Sequence, residues 1–388
     1  MLHTATPQQI KDGLVTDVYF ERTEQILKAK GIDKVVRAEF IAKGLPAKWP
    51  WAIFAGVEEC AALLRELPVD VRIMKEGTIF HPYEPVMEIH GKYLDFGRYE
   101  TALLGLICQA SGVATMAARC RKAASGRPVV SFGARRIHPT VAPMVDRNAY
   151  IGGCDGMSIG LGARLVGQEP AGTMPHALIL LMGNTVAATK AFHEVIDPKI
   201  SRVSLIDTFN DEKVEALNVA RALGKDLFAV RLDTPGSRRG DFLRIMEEVR
   251  WELDLHGYGH VKIFVSGGLD EYQILKYNPF ADAYGVGTAI SDAPVVDFSM
   301  DIIEIDGKPM AKRGKMSGSK KVLRCRRCFK TSVLPVQKRT PSSCPCGGRM
   351  DEILIELFQN GKMRWRLPKA DQIRKFVFKQ LEKLDLEV

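Results

Sequence analysis

The 388-residue chain is predicted to be an α/β protein in which an irregular α/β barrel lies between an N-terminal α+β domain and a small cysteine-containing C-terminal module. Two observations lead to this prediction. From Val129 onward, short apolar segments alternate with amphipathic helical segments, as parallel strands and their crossover helices do. After Asp306 the composition changes to a basic linker, followed by four closely spaced cysteines.

Length and composition predict an ordinary globular protein of two or three domains. Hydrophobic residues make up 46% of the chain and charged residues 26%, which excludes disorder along the whole chain. We expect an α+β domain at 1–126, the barrel carrying the active site at 127–306, and the C-terminal module at 307–388. The first residues lack a basic stretch followed by an apolar run, so we expect a cytoplasmic protein.

The N-terminal region mixes strand and helix signals. Residues 69–80 and 86–93 are predicted strands, separated by a turn around Pro82 and Pro85. Residues 101–118 carry no charge, but they are too few and too polar for a membrane span. We therefore predict a buried helix that begins near residue 99, is interrupted near Gly112 and ends by Gly126.

The barrel strands are predicted at 129–133, 203–207, 228–233, 261–266 and 283–287. Helices are predicted between them, at 211–223 and along an apolar stripe that begins at Phe242. Polar or glycine residues stand at the carboxyl ends of all five strands, where parallel α/β proteins place their active sites. Asp207, Arg231 and Asp233 are three of these residues. A charged residue at the end of a barrel strand more often has a function than not. A last helix is predicted at 370–384.

Glycine-rich turns follow the last two predicted strands. Glycine allows backbone N–H groups to approach an anion closely, and the last two loops of a barrel often form a phosphate site. Either turn alone is better explained as a tight turn, but the pair favours phosphate binding. The residues are Ser266, Gly267, Gly268, Gly285, Gly287 and Thr288.

Two further segments contain candidate residues. Arg135, Arg136 and His138 follow the first barrel strand and suit a carboxylate or pyrophosphate, although an exposed basic loop would have the same composition. His176 precedes an apolar run, and a lone histidine in that setting is usually structural.

The cysteines fall into two groups. Cys325 and Cys328, with Cys344 and Cys346, have the spacing of a zinc knuckle or ribbon. Four thiolates leave no open coordination position, so the predicted zinc is structural. The other four are expected to be core thiols: Cys60, Cys108, Cys120 and Cys154.

The net charge of +9 comes from one segment. Residues 308–330 contain ten Lys or Arg and no acid, so the rest of the chain has a net charge of −1. This distribution argues against nucleic-acid binding as the main role. A zinc-ribbon nucleic-acid-binding protein is nevertheless the alternative from a different functional class.

Seven motifs along nearly the whole chain resemble nicotinate phosphoribosyltransferase of the type II phosphoribosyltransferase group, and the cysteine module resembles its archaeal-type branch. The motifs are Thr16-Asp17-Val18-Tyr19, Glu76-Gly77-Thr78, Ser131-Phe132-Gly133-Ala134-Arg135-Arg136, Gly172-Thr173-Met174-Pro175-His176, Arg231-Leu232-Asp233-Thr234, Val265-Ser266-Gly267-Gly268 and Gly285-Val286-Gly287-Thr288.

The resemblance implies an enzyme that condenses nicotinate with 5-phosphoribosyl-1-pyrophosphate to form nicotinate mononucleotide and pyrophosphate, in NAD biosynthesis. It implies a homo-oligomer in which Tyr19 from a neighbouring subunit and Phe132 enclose the pyridine ring. Arg231 would neutralise a carboxylate or phosphate, and Asp233 would bind ribose or Mg²⁺. His176 would accept phosphate from ATP.

For the remaining candidate residues, the resemblance implies substrate binding. The two glycine turns would hold the 5-phosphate, and Arg135 and Arg136 would face the pyrophosphate. His138, Thr173 and Asp207 complete the expected substrate site. The nearest alternative is quinolinate phosphoribosyltransferase, whose dicarboxylate substrate needs more cationic groups. Those enzymes are usually shorter and lack a zinc module, which favours nicotinate. No membrane or nucleic-acid partner is implied.

Overall fold

The computed structural model describes residues 2–386, and its contacts divide them into two compact units. Unit 1 runs from the beginning of the described chain to Thr115 and from Pro294 to the end, and unit 2 comprises Met116–Ala293. The predicted ranges 1–126, 127–306 and 307–388 differ from these units because strands near both ends of the chain share one sheet. The three ranges stay a prediction about domains.

The structure contains fifteen α-helices within the described residues. They are α1 Pro7–Lys11, α2 Val18–Ala29, α3 Val57–Leu64, α4 Tyr93–Phe96, α5 Glu100–Ala123, α6 Ala142–Gly152, α7 Gly160–Leu165, α8 His176–Met182, α9 Thr185–Val195, α10 Glu212–Leu223, α11 Gly236–Arg239, α12 Phe242–Leu255, α13 Glu271–Tyr277, α14 Thr288–Ser291 and α15 Ala370–Leu381.

Eighteen strands are found in the same part of the chain. They are β1 Val35–Ala42, β2 Ala52–Ile53, β3 Asp70–Met74, β4 Ile79–Phe80, β5 Pro85–Lys92, β6 Val129–Ser131, β7 Gly156–Met157, β8 Arg202–Leu205, β9 Leu227–Leu232, β10 Lys262–Ser266, β11 Ala283–Val286, β12 Phe298–Ile305, β13 Lys308–Pro309, β14 Lys320–Cys325, β15 Thr331–Pro335, β16 Met350–Glu352, β17 Leu354–Gln359 and β18 Lys362–Met363.

Unit 1 is built on a seven-stranded sheet with the order β13-β12-β1-β5-β3-β17-β18. Its central strands pair antiparallel, and they bury alternate side chains such as Phe40, Val71 and Ile89. Strands β14, β15 and β16 form a separate three-stranded sheet; Cys325 ends β14, and the other three clustered cysteines lie in the connections between its strands. The α+β character predicted for the N-terminal region is confirmed, and the C-terminal strands complete its sheet.

Unit 2 contains a six-stranded parallel sheet with the order β7-β6-β11-β10-β9-β8. Helices follow most of its strands, so the sheet forms a parallel half-barrel of the predicted α/β class. Each of the five predicted barrel strands is present, and each ends one or two residues before the predicted end, except β10, which ends at Ser266 as predicted. The fold class is therefore confirmed.

One predicted break in a helix is wrong. Helix α5 continues through Gly112 without interruption from Glu100 to Ala123. A Cβ atom at Gly112 would lie 2.4 Å from the carbonyl oxygen of Pro294, so this glycine allows close backbone approach and does not end the helix. The segment 93–123 is long and apolar enough to cross a membrane, but 67% of its most apolar window is buried inside the protein. That burial agrees with the predicted core helix.

Candidate active site

Arg231, at the end of β9, is the most highly connected side chain at the carboxyl edge of the half-barrel. Its Nε donates to Ser266 Oγ at 2.8 Å, and one terminal nitrogen donates to Thr173 Oγ1 at 2.8 Å. The other terminal nitrogen lies 3.2 Å from Asp233 Oδ2. Because three different segments of the chain supply these partners, the guanidinium is held in one orientation before any ligand arrives.

Asp233 and Ser266 complete this network. Ser266 Oγ donates to Asp233 Oδ1 at 2.7 Å, and the Ser266 residue is only 1% exposed. The Asp233 carboxylate therefore accepts a hydrogen bond through Oδ1 and forms an ion pair with Arg231 through Oδ2. These contacts join the ends of the neighbouring strands β9 and β10, as the sequence analysis expected for polar residues at parallel strand ends.

Phe132 forms a flat apolar surface beneath Arg231. The guanidinium carbon lies 5.1 Å from the centroid of the Phe132 ring, within the range of a cation–π contact. Gly285 makes this ring position possible, because a Cβ there would lie 2.5 Å from two ring carbons. This glycine thus has a packing reason that is independent of phosphate binding.

A cavity of about 580 Å³ extends from Phe132 and Thr173 into the interior of the half-barrel. Its apolar lining includes Val203, Ala229 and Phe264. Small and apolar side chains leave room for a planar ring next to Phe132 and Thr173, which both contact Arg231.

His176 begins helix α8 and contacts Asp207, which follows β8. The imidazole Nε2 and Asp207 Oδ2 are 3.2 Å apart. The Asp207 side chain is 2% exposed, whereas that of His176 is 43% exposed. Burial raises the pKa of Asp207, and the nearby imidazole opposes this shift. The pair has the geometry of a histidine oriented by a carboxylate, and the imidazole remains partly open to solvent.

Asp207 has a second oxygen, Oδ1, that is buried and has no hydrogen-bond partner among the described residues. Buried carboxylate oxygens are normally paired. An unpaired oxygen in a strand-end loop suits a ligand group or a hard cation such as Mg²⁺.

The turn after β10 has the left-handed backbone expected for its glycines. Gly267 has φ of 85° and Gly268 has φ of 62°. The carbonyl oxygens of Ser266 and Gly267 accept hydrogen bonds from Arg239, at 3.3 and 2.7 Å. Arg239 was not predicted from the sequence, because the residues around it carry no signal of this contact.

The turn after β11 lies against the loop after β6. Gly133 lacks the Cβ that would meet the backbone oxygen of Gly287 at 2.7 Å and Ser291 Cβ at 2.4 Å. Phe132 donates its backbone N–H to Val286 O at 2.8 Å. These contacts bring Phe132 and the predicted phosphate turn at Gly287 and Thr288 into one site.

Asp146 on α6 is a further residue of the site for which the sequence carries no signal. It is fully buried, accepts a hydrogen bond from Ser131 Oγ at 3.1 Å, and accepts another from the backbone N–H of Ile159 at 3.3 Å. Burial raises its pKa to about 6, and the two hydrogen bonds oppose the shift. Asp146 thus links the loops that follow β6 and β7.

Four predicted site residues lie outside this hydrogen-bonded network. Arg135, Arg136 and His138 are exposed on the loop after β6, and His138 Nδ1 accepts the N–H of Thr140. Tyr19 belongs to unit 1, where it is 56% exposed on helix α2. Its ring lies 4.3 Å from that of Phe20 and its hydroxyl donates to Asp17 at 3.5 Å. Their roles stay predictions.

The four cysteines of the C-terminal module converge, and their sulfur atoms all lie within 4.8 Å of one another. The distances Cys325 Sγ–Cys346 Sγ and Cys328 Sγ–Cys344 Sγ are 3.5 and 3.6 Å. These distances are far too long for disulfides, whose bond is about 2.05 Å. They are close to the edge of a tetrahedron around an ion that binds thiolates at about 2.3 Å.

The backbone around the cysteine cluster also fits a metal. The N–H groups of Cys328 and Arg327 donate to Cys325 Sγ and lower the pKa of that thiol to about 6. Gly348 has no side chain where a Cβ would lie 2.5 Å from the same sulfur. By contrast, burial raises the pKa of Cys60 and Cys120 well above the usual range, as expected for inert core thiols.

A parallel half-barrel with a fixed guanidinium, buried carboxylates and glycine turns at its carboxyl edge is typical of an α/β enzyme whose active site lies at that edge. Similarity to known proteins shows the family to which the chain belongs. Residues 17–111 match the N-terminal domain of quinolinate phosphoribosyl transferase, and residues 113–301 match its C-terminal domain. The chain belongs to the type II phosphoribosyltransferase family and is a phosphoribosyltransferase.

Two sets of relatives resemble the chain along most of its length. Nicotinate phosphoribosyltransferase pncB2 of Mycobacterium tuberculosis is 32% identical over 338 residues, which cover 82% of this chain and 70% of the relative. The crystal structure of nicotinate-nucleotide pyrophosphorylase from Pyrococcus furiosus is 53% identical with a TM-score of 0.98, covering 100% of this chain and 99% of that one. Human nicotinic acid phosphoribosyltransferase shares the fold, at 19% identity and a TM-score of 0.77, over 95% and 94% of the two chains.

Proposed function

We propose that this phosphoribosyltransferase uses nicotinate as its acceptor and forms nicotinate mononucleotide and pyrophosphate from 5-phosphoribosyl-1-pyrophosphate. The observation that carries the proposal is the Arg231 guanidinium fixed above the Phe132 ring. A pyridine ring can stack on Phe132 while its carboxylate meets the guanidinium. Asp233 already neutralises part of the Arg231 charge. The space beside Arg231 and Phe132 therefore suits an acceptor with one carboxylate better than an acceptor with two.

The glycine turns supply the other half of the substrate site. The Ser266–Gly268 and Gly285–Thr288 segments follow neighbouring strands, and their backbones are suited to a phosphate group. Arg135 and Arg136 are exposed cations on the adjacent loop and would meet the pyrophosphate. Thr173 and His138 would contribute hydrogen-bonding groups to the same site.

The chemistry needs little beyond positioning and charge stabilisation. Displacement of pyrophosphate at the anomeric carbon resembles glycoside cleavage, with positive charge developing on the sugar ring. The pyridine nitrogen is already nucleophilic, so no general base is required. Fixed groups such as Arg231 hold the acceptor at the angle of attack, and cationic side chains stabilise the leaving group.

Mg²⁺ is the proposed metal of this site. Asp207 Oδ1 is buried without a partner, and Asp233 lies on the neighbouring strand end. Carboxylate oxygens are the ligands that Mg²⁺ prefers, so these residues fit the ion. The bound ion would neutralise charge on pyrophosphate.

His176 is the proposed site of ATP coupling. Its imidazole is oriented by the buried Asp207 and remains 43% exposed, so a phosphoryl donor can reach it. A carboxylate that holds one ring nitrogen makes the histidine a better nucleophile. ATP hydrolysis through this residue would then drive synthesis.

Quinolinate phosphoribosyltransferase activity is the second candidate function. A specific observation favours it: the Pyrococcus furiosus relative, 53% identical, is named nicotinate-nucleotide pyrophosphorylase. The exposed cations Arg135, Arg136 and His138 would provide charge for a second carboxylate.

We also propose a structural zinc ion bound by the four clustered cysteines and a homo-oligomer in which Tyr19 reaches the site of a neighbouring subunit. The converging sulfurs support the first. An exposed apolar surface around Tyr19, which includes Leu14 and Val18, supports the second.

One experiment tests the acceptor. The protein is incubated with 5-phosphoribosyl-1-pyrophosphate and Mg²⁺, with nicotinate, quinolinate or nicotinamide, each with and without ATP, and the products are identified by mass. We expect nicotinate mononucleotide from nicotinate, at a higher rate with ATP. Turnover of quinolinate with release of CO₂, and none of nicotinate, would replace the proposal with the second candidate.

A further inference from the structure

Arg239, at the end of helix α11, contacts the backbones of two strand-end loops. Its Nε donates to Thr234 O at 3.0 Å, and one terminal nitrogen donates to Gly267 O at 2.7 Å and to Ser266 O at 3.3 Å. The guanidinium also lies 4.4 Å from the centroid of the Phe242 ring. The loop after β9 and the turn after β10 are therefore joined by one side chain.

These contacts fix the direction of two peptide groups. In a trans peptide the carbonyl and the following N–H point in opposite directions. Because the carbonyls of Ser266 and Gly267 both face Arg239, the N–H groups of Gly267 and Gly268 face away from it. Neither N–H donates a hydrogen bond within the part of the chain that the structure describes.

Two successive free N–H groups in a turn with positive φ angles form an anion-binding concavity. The φ angles of 85° at Gly267 and 62° at Gly268 give the turn this shape. Without a guanidinium behind it, either peptide could rotate and direct its carbonyl oxygen toward the anion. Glycine peptides rotate easily because no Cβ restricts them.

Gly267 is also needed for the contact itself. A Cβ at this position would lie 3.0 Å from the Arg239 terminal nitrogen and 3.1 Å from Asp233 Oδ1. A side chain at this position would therefore meet both the cation that holds the turn and the carboxylate that holds Arg231.

We propose that Arg239 is a positioning residue for the sugar 5-phosphate: it holds the Ser266–Gly268 turn with its N–H groups directed at the phosphate. This inference rests on the proposed phosphoribosyl substrate but not on the identity of the acceptor. Arg239 acts through the backbone, and its own guanidinium faces the carbonyl side of the turn.

The test measures binding of ribose 5-phosphate by calorimetry, together with the KM values for 5-phosphoribosyl-1-pyrophosphate and for the acceptor. Arg239→Gln should weaken ribose 5-phosphate binding about tenfold or more, because a neutral amide cannot hold three carbonyls. The KM for the phosphoribosyl donor should rise in parallel, while the KM for the acceptor changes little. Arg244→Gln removes the same charge from an exposed position on α12 and is the matched control.

Arg239→Lys separates positioning from charge. Lysine retains the positive charge and should fold even if the glutamine variant does not, but its single ammonium cannot reproduce the planar fork. We expect binding of ribose 5-phosphate to stay well below that of the wild type. Full affinity in the lysine variant would overturn the positioning role. Wild-type protein that fails to bind ribose 5-phosphate would instead contradict the proposed substrate, so the two failures are distinguishable.

Discussion

Arg231 shows how a single residue gains its chemical role from its neighbours. Hydrogen bonds from its guanidinium to Ser266 and Thr173, and the ion pair with Asp233, use three directions of the planar fork. One face of the guanidinium plane lies over the Phe132 ring. The side-chain entropy that a free arginine would lose on binding a carboxylate is therefore already lost in the folded protein.

His176 is the residue for which the proposed role and a packing role differ most. His176→Ala should abolish the stimulation of turnover by ATP and leave ATP-independent synthesis, because the ring and sugar sites are untouched. Incubation with γ-labelled ATP should leave acid-labile label on the wild type and none on the variant. His256→Ala, at an exposed histidine on the far end of α12, is the control. A variant that keeps the wild-type ratio of rates with and without ATP would assign His176 a packing role.

Gly287 offers a direct test of the second phosphate turn. A Cβ there would come no closer than 3.7 Å to protein atoms, so the first carbon of the Gly287→Val side chain has room. The side chain should obstruct the backbone approach to phosphate and raise the KM for the phosphoribosyl donor roughly tenfold, with a smaller effect on the KM for nicotinate. Gly105→Val, on an exposed and uncrowded turn of α5, is the control. Equal changes in both KM values would mean that the turn only shapes the site.

Asp146 should make the stability of the protein depend on pH. Burial raises its pKa from 3.8 to about 6, so between about pH 4 and 6 the folded state binds a proton that the unfolded state has released. The unfolding free energy contributed by this group is then full below about pH 4 and is lost as pH rises through 6. In urea titrations, the wild type should lose stability relative to Asp146→Asn across this range. A difference between the two proteins that is constant with pH would contradict the shifted pKa.

At the scale of elements, the parallel strands were predictable because each carries its own signal. A short apolar run that ends in Asp207, Arg231 or Ser266 is visible without knowledge of its partners. Helices α10 and α12 begin at Glu212 and Phe242, within one residue of the predicted starts. Contacts between elements have no comparable signal in the local sequence. The Gly112 contact with Pro294 and the Arg239 contact with Gly267 depend on residues far away in the sequence.

The cysteine module is the element whose stability should depend on a bound ion. Protein prepared without chelator should contain about one zinc per chain. Cys325→Ser should lower the melting temperature by roughly 5 °C or more and leave the turnover of the folded fraction unchanged. Cys108→Ser changes a half-buried thiol outside the cluster and serves as the control. Metal analysis that detects no zinc in the wild type would contradict this prediction.

At the scale of the whole molecule, the basic segment 308–330 has a structural explanation. Lys312 and Lys315 pair with the buried Asp301, and Lys320 lies 2.7 Å from Glu39. Arg324 lies 2.9 Å from Glu84, with both side chains at least nine-tenths buried. These four of the ten cations therefore neutralise acids on unit 1, so part of the compositional signal of a polyanion-binding patch is accounted for inside the fold.

Long-range strand pairing explains why the segments that make up unit 1 could not be predicted from the sequence. Strand β17, at Leu354–Gln359, pairs with β3 at Asp70–Met74, almost three hundred residues away. Strand β12 pairs with β1 in the same sheet. Local periodicity identifies a strand, but it does not show which other strand pairs with it. No sequence pattern links partners that lie so far apart along the chain.

The last prediction concerns the subunit that supplies Tyr19 to the active site. If Tyr19 acts in a neighbouring subunit, Tyr19→Ala and Arg231→Ala damage opposite sides of the same interface. Each variant alone should be nearly inactive. When the two chains are co-expressed, a two-fold dimer that contains one of each has one doubly altered site and one intact site. Random pairing should therefore restore about a quarter of the wild-type turnover.

The control for this experiment pairs variants from the same side of the site. Co-expression of Arg231→Ala with Asp233→Ala should restore no activity, because both residues lie on β9 or directly after it and no combination of those chains creates an intact site. The variant chains are purified through different affinity tags in succession, so only mixed oligomers are assayed, and about half of their sites should then be intact. Mixed Tyr19→Ala and Arg231→Ala oligomers that remain inactive would mean that each chain uses its own Tyr19, or that Tyr19 does not reach the site.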